Sequence, residues 1–131
     1  MTTVLAEREK CYFRDFFCAR LVVAEMRHLH DSGAVNSLAC VVMPDHVHWL
    51  FQLGDTLTLS SVTKAFKARS AHHVNAHLNR QGSLWQKAFY DHAVHEEKDV
   101  RKIARYIVAN PLRAGLVETI GDYPHWDAIW L

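Results

Sequence analysis

His46 and His48 stand two residues apart in the stretch MPDHVHWL, inside the longer apolar run SLACVVMPDHVHWLFQL. Residues i and i+2 of a strand share a face, so both imidazoles point the same way. Burying two such rings costs free energy unless each finds a partner. Two neutral imidazoles on one face can ligate a divalent cation, leaving other positions open to a substrate oxygen and water. They can also be two histidines hydrogen-bonded in a core or lying on an edge strand. The spacing alone does not choose.

A second chemical feature is ARYIVANP, where Tyr106 and Asn110 are four residues apart. On a helix they lie one turn apart on the same face. A phenol can attack a phosphodiester if a metal polarises the phosphate, and an amide oxygen one turn on can complete that metal's coordination. The bland alternative is a core tyrosine with Asn110 as a C-cap. Cations surround these positions: Lys64, Lys67 and Arg69 in one segment, Arg101, Lys102, Arg105 and Arg113 in another. Charge runs are usually solvated faces. Seven cations in two segments of a chain whose formal charge is only +1 also fit a polyanion groove. Among Trp49, Trp85, Phe89 and Tyr90, Trp85 is the best candidate to stack on an unpaired base.

These groups must be positioned by 131 residues, most simply one domain. Half the residues are hydrophobic and 22% charged, as in ordinary soluble globular proteins. Three cysteines, Cys11, Cys18 and Cys40, form no CxxC pair and suit a reducing cytoplasm better than a disulfide framework. No apolar run is long enough for a membrane span, and the N-terminus lacks a signal-peptide core. His28, His30, His72, His73 and His77 sit in polar helical surroundings and read as a solvated face.

The expected elements begin with a strand near residues 2–6. A helix follows, with apolar positions Phe17, Leu21, Val22, Met26 and Leu29, stopping at Asp31-Ser32-Gly33. VNSLACVVM and HVHWLFQLG are strands joined by a turn at Met43-Pro44-Asp45. The next helix is capped by Ser60 or Ser61 and ended by Gly82. LWQKAFYDHAV is extended, and a third helix stops near Asn110 because Pro111 follows. The aromatic tail GDYPHWDAIWL packs back onto the body. The order β-α-β-β-α-β-α predicts an α+β fold, a ferredoxin-like split βαβ with helices packed on one face of an antiparallel sheet.

Taken together, the chain resembles the HUH single-tyrosine transposases, and most closely their REP-associated tyrosine transposase group. VVMPDHVHWLF resembles the family's strand with its His-hydrophobe-His, LWQKAFYDHAV its Trp-Gln segment, and IARYIVANPLRAGLV its nucleophile helix. The resemblance runs from about Thr2 to Trp126, within a single domain of 1–131. Members usually carry a fuller first strand, so the first strand here is expected to be truncated.

The resemblance implies His46, His48 and Asn110 as ligands of Mg²⁺ or Mn²⁺ and Tyr106, rather than Tyr12, Tyr90 or Tyr123, as nucleophile. It implies cleavage and transfer of single-stranded DNA at hairpins through a 5′-phosphotyrosine link, by a monomer or homodimer in the cytoplasm. Lys64, Lys67, Arg69, Arg101 and Arg105 are then the expected phosphate contacts. Two other functions fit the same residues: a domesticated protein that binds hairpins without cutting, and a metal-dependent phosphodiesterase that uses water and makes no covalent intermediate.

Overall fold

The computed structural model describes residues 1–87, 97–118 and 123–128. Its elements are β1 (Thr2–Val4), two short 3-10 turns, α1 (Phe16–Asp31), β2 (Val35–Val42), β3 (His46–Leu53), α2 (Leu59–Leu78), α3 (Glu97–Val108), α4 (Asn110–Arg113) and β4 (Trp126–Ala128). The strands form one antiparallel sheet in the order β1-β3-β2-β4. Leu5 bridges Trp85 on the outer side of β1, and Gln86 N–H donates to the Val4 carbonyl. Residues 84–86 therefore continue the sheet past β1, completing the split βαβ arrangement. The rest of the expected extended segment, from residue 88 on, lies outside the described residues.

Alternation in β2 and β3 divides the molecule. Cys40, Val42, Val47 and Trp49 point to one side, into a core with Val22, Met26 and Leu29 of α1 and Val62, Phe66 and Val74 of α2. Ala39 and Val41 point to the other, against Ala104, Ile107 and Val108 of α3, and Leu50 packs with them. The expectation of helices on one face thus holds for α1 and α2, while α3 covers the opposite face. Periodicity shows that a helix has an apolar stripe, but not which side of a two-faced sheet it covers.

Local signals explain most boundaries. Asp15 caps α1, its carboxylate accepting from Phe17 N–H at 2.8 Å and Cys18 N–H at 3.4 Å. Gly33, at φ +81, ends it as expected. Phe17 is 67% exposed, so Cys18 and Ala19 rather than Phe17 open the buried stripe. The α2 cap is Thr58, not Ser60 or Ser61, and its αL terminator is Asn79 at φ 52, three residues before Gly82. Trp126–Ala128 of the tail does pack back, as a strand paired with Ala39–Val41.

Gly54, at the end of β3, lies against the turn that closes α1. A Cβ there would stand 2.3 Å from the Gly33 carbonyl oxygen and 3.0 Å from that of Ala34. Both atoms are backbone and cannot swing aside. Gly54→Ala is expected to cost about 2 kcal/mol, read as a lower urea midpoint at unchanged m-value.

Candidate active site

His46 and His48 lie on the β3 face that α3 covers, in alternation with Val47 and Trp49, which face α1 and α2. The turn before them is tied down by Leu5 N–H donating to the Asp45 carbonyl and Met43 N–H to the His46 carbonyl. Both rings are half-buried, and their Nε2 atoms approach to 3.1 Å.

Each Nδ1 is held from behind. His46 Nδ1 donates to Asp45 Oδ1 at 2.7 Å, and Arg8 Nε donates to Asp45 Oδ2 at 2.8 Å. His48 Nδ1 meets Thr2 Oγ1 at 2.8 Å, from the β1 residue paired with it. Burial pushes Asp45 up, but the hydrogen bonds from His46 and Arg8 outweigh it and hold the carboxyl below its usual range. Burial, with smaller contributions from His46, the α-ammonium of Met1 and Arg113, pushes His48 down to about 4. The partners suit one set of hydrogen positions: His46 Nδ1–H to Asp45, His48 Nε2–H to His46 Nε2, and Thr2 hydroxyl to His48 Nδ1.

This arrangement fits a divalent cation. Two ligands at right angles around an ion with bonds of about 2.1 Å stand about 3.0 Å apart, close to the Nε2 separation found here. The outer nitrogens already have the carboxylate and hydroxyl partners that orient histidine ligands. His48 could ligate by moving its proton to Nδ1 while the Thr2 hydroxyl turns to accept it, with no net proton release. Asp45→Asn removes the charge behind His46. It is expected to weaken Mn²⁺ binding about 10- to 100-fold, measured by calorimetry.

Tyr106 sits on α3 and is 61% exposed, beside the buried Ala104, Ile107 and Val108. The guanidinium of Arg113 lies 3.7 Å from its ring centroid. Among the described tyrosines only Tyr106 is exposed: Tyr123 is buried with its hydroxyl donating to the Val42 carbonyl, and Tyr12 is half-buried under Arg80. Tyr90 lies outside the described residues. α3 stops at Val108, and half-buried Asn110 opens α4 after Ala109. Pro111 does not end a helix here; it stands in the first turn of α4.

The expected phosphate contacts divide between the two faces. Arg101 and Arg105 are exposed on α3 with Tyr106. Lys64, Lys67 and Arg69 are on α2, across the sheet, so the cations do not form one groove. Arg69 Nε donates to Glu25 at 2.8 Å, and His73 reaches the same buried carboxylate at 3.2 Å. Lys67 Nζ donates to the Gln86 and Lys87 carbonyls at 2.8 and 3.3 Å, and burial lowers its pKa. Lys64 is exposed and lines a groove of about 450 Å³ with Lys67 and Lys87.

The expectation for Trp85 is corrected. It is 4% exposed, packs against Phe13 and Phe66, and its indole N–H donates to Ser70 Oγ at 2.9 Å. Its faces are spent in the core and cannot take a base. The feature missed from sequence is Asp45, whose place in the MPDH turn gave a signal; Arg113 is among the cations expected around Tyr106, but its fold-back onto the ring had no signal in the sequence.

Asp15, Cys18 and His77 also bring ligand-type atoms within 4.8 Å of one another. One Asp15 oxygen is already committed to two backbone N–H groups at the N-terminus of α1, whose partial positive charge opposes a cation. Burial, with Asp15 adding, pushes the Cys18 thiol up to about 11. This group reads as a helix cap. No helix among the described residues is long and apolar enough to cross a membrane.

The sequence pattern of the family described as "Transposase IS200 like" matches residues 3–110, a span that includes His46, His48, Tyr106 and Asn110. A Haemophilus influenzae protein assigned by name to the REP-associated tyrosine transposases is 26% identical over 138 residues, covering 95% of this chain and 75% of the relative. A REP-associated tyrosine transposase of Escherichia coli K12 is 33% identical over 88 residues, covering 66% of this chain and 50% of the relative. Among solved structures, a REP-associated tyrosine transposase bound to a REP hairpin superposes with a TM-score of 0.80 at 24% identity, covering 95% of this chain and 72% of that one. That likeness establishes the fold, and the resemblance read from the three sequence motifs is borne out.

Proposed function

This chain belongs to the IS200-like transposase family, and from that premise we propose that it cleaves and rejoins single-stranded DNA at hairpin sites through a 5′-phosphotyrosine intermediate. The observation that carries this reading is the exposed Tyr106 on the helix that covers the same sheet face as the converging His46 and His48. That the solved neighbour holds a REP hairpin supports a hairpin as the partner.

His46 and His48, with Asn110, would hold Mg²⁺ or Mn²⁺, whose chemistry is to polarise a non-bridging phosphate oxygen. The Tyr106 oxygen attacks phosphorus and gives up its proton. The P–O3′ bond breaks, the 3′ oxygen leaves and is protonated, and the 5′ phosphate stays on the tyrosine. A second 3′-hydroxyl then attacks the same phosphorus, joining strands and returning the phenol. Because the phosphodiester's energy is kept in the phosphotyrosine, no external energy source is needed. Arg101 and Arg105, exposed beside Tyr106, are the phosphate contacts this reading favours, with Lys64 more distant across the sheet.

The test is a denaturing gel of protein with labelled single-stranded hairpin DNA from the palindromic repeats beside its own gene. A protein–DNA adduct that survives SDS with Mn²⁺ and is lost with EDTA supports the reading. Retained hairpin binding without an adduct would leave a non-catalytic binder. Cleavage without an adduct would indicate a hydrolase that uses water.

A further inference from the structure

Arg113 is a cation held against the ring of Tyr106. α4 is a four-residue helix, opened after Ala109 and closed by Gly115 at φ +74, with Pro111 buried beneath it. Ala114 N–H donates to the Asn110 carbonyl and Leu116 N–H to that of Pro111, so the turn is held on both sides of Arg113. The result folds Arg113 back over α3, its guanidinium carbon 3.7 Å from the Tyr106 ring centroid. The same charge is near enough to the histidine pair to be among the influences that keep His48 neutral.

A guanidinium stacked on a ring presents its N–H edge outward, in a plane that the ring fixes. None of the ion pairs among the described residues involves Arg113. Its side chain is exposed, and no described carboxylate takes its N–H groups in an ion pair. We propose that Arg113 is a catalytic residue that grips the scissile phosphate with this N–H edge while its flat face holds the Tyr106 ring in position. The inference rests on the reading of Tyr106 as nucleophile. It adds no covalent step: the bonds formed and broken are those at phosphorus, and Arg113 stays protonated throughout, offsetting the charge on the non-bridging oxygens.

A lysine offers neither the flat face nor the fork, so Arg113→Lys is expected to behave almost as Arg113→Ala. Both are expected to lower the rate of adduct formation at saturating hairpin DNA by about 10²- to 10³-fold, with the hairpin Kd changed less than about threefold. The discriminating substrate carries a methylphosphonate at the cleavage site, which replaces one non-bridging oxygen by a methyl group and so removes the negative charge. If Arg113 meets that oxygen, one diastereomer restores Arg113→Ala towards the wild-type rate. Equal losses on phosphate and both methylphosphonates, or a loss confined to Kd, would reduce Arg113 to a packing residue and overturn the proposal.

A parallel measurement needs no cleavage. In a Tyr106→Phe background, replacing the scissile phosphate by methylphosphonate should weaken hairpin binding measurably but by less than about threefold, and Arg113→Ala should abolish that difference. If the difference is independent of Arg113, the clamp is wrong even where adduct forms. If wild type forms no adduct but the Arg113-dependent difference remains, the phosphate contact stands and the covalent reading fails.

Discussion

Tyr106→Phe is expected to abolish the SDS-resistant protein–DNA adduct and every strand cut, a loss of at least about 10⁴-fold, with hairpin binding within about twofold of wild type. The substitution removes one oxygen and keeps the ring under Arg113, so the stacking at 3.7 Å has no reason to change. Tyr106 is 61% exposed, and its hydroxyl makes no hydrogen bond among the described residues. Stability should therefore stay within about 0.5 kcal/mol, which separates lost chemistry from lost fold. Tyr12→Phe is the control, since that ring is half-buried under Arg80 and away from the histidine face. Residual cutting by Tyr106→Phe would move the nucleophile to water and sink the covalent mechanism.

Much of this site was legible before any coordinates because its signals are local. Alternation alone put His46 and His48 on one face, since Val47 between them is an obligate core residue with no exposure. The cap-and-glycine logic found the end of α1 at Gly33, though not the ends of α2, where Thr58 and Asn79 do the work of residues read two or three positions further on. What could not be read depends on contacts distant in sequence. Trp85 looked available because nothing nearby uses it; only folding brings Ser70 Oγ and Phe66 against it. Arg69 looked like a free cation because its partner, Glu25, lies 44 residues away on another helix. The side of the sheet that α3 covers decides whether Tyr106 can meet the histidines. No apolar stripe contains that information; it comes from Ala39 and Val41 lying on the opposite side of β2 from Cys40 and Val42.

His48→Asn should show two effects whose conditions differ, and the difference carries the argument. With Mn²⁺, loss of an imidazole ligand is expected to cut adduct formation about 10³-fold, since metal polarisation is worth several kcal/mol at the transition state. Without metal, in EDTA, the same variant should be more tolerant of acid than wild type. Burial holds the folded His48 down at about 4, whereas the unfolded side chain takes up its proton near its ordinary value of 6.5. Above 6.5 the ring is neutral in both states and contributes nothing to pH dependence. As pH falls from 6.5 towards 4 the unfolded state binds the proton and the folded state does not, so wild-type stability declines across that window and levels off below it. Because the ring is only half-buried, the loss is put at about 2 kcal/mol rather than the full value of the shift. Urea midpoints in EDTA at pH 7, 5.5 and 4.5 would show the wild-type curve falling towards that of His48→Asn. Saturating Mn²⁺ should raise the wild-type curve at all three pH values and not that of His48→Asn, because the metal binds only the folded ring, and should carry the fall on below pH 4, where protons begin to compete for that ring. If metal leaves the wild-type curve unchanged while His48→Asn still loses the adduct, His48 acts as a spacer for Tyr106 and the ion is held elsewhere.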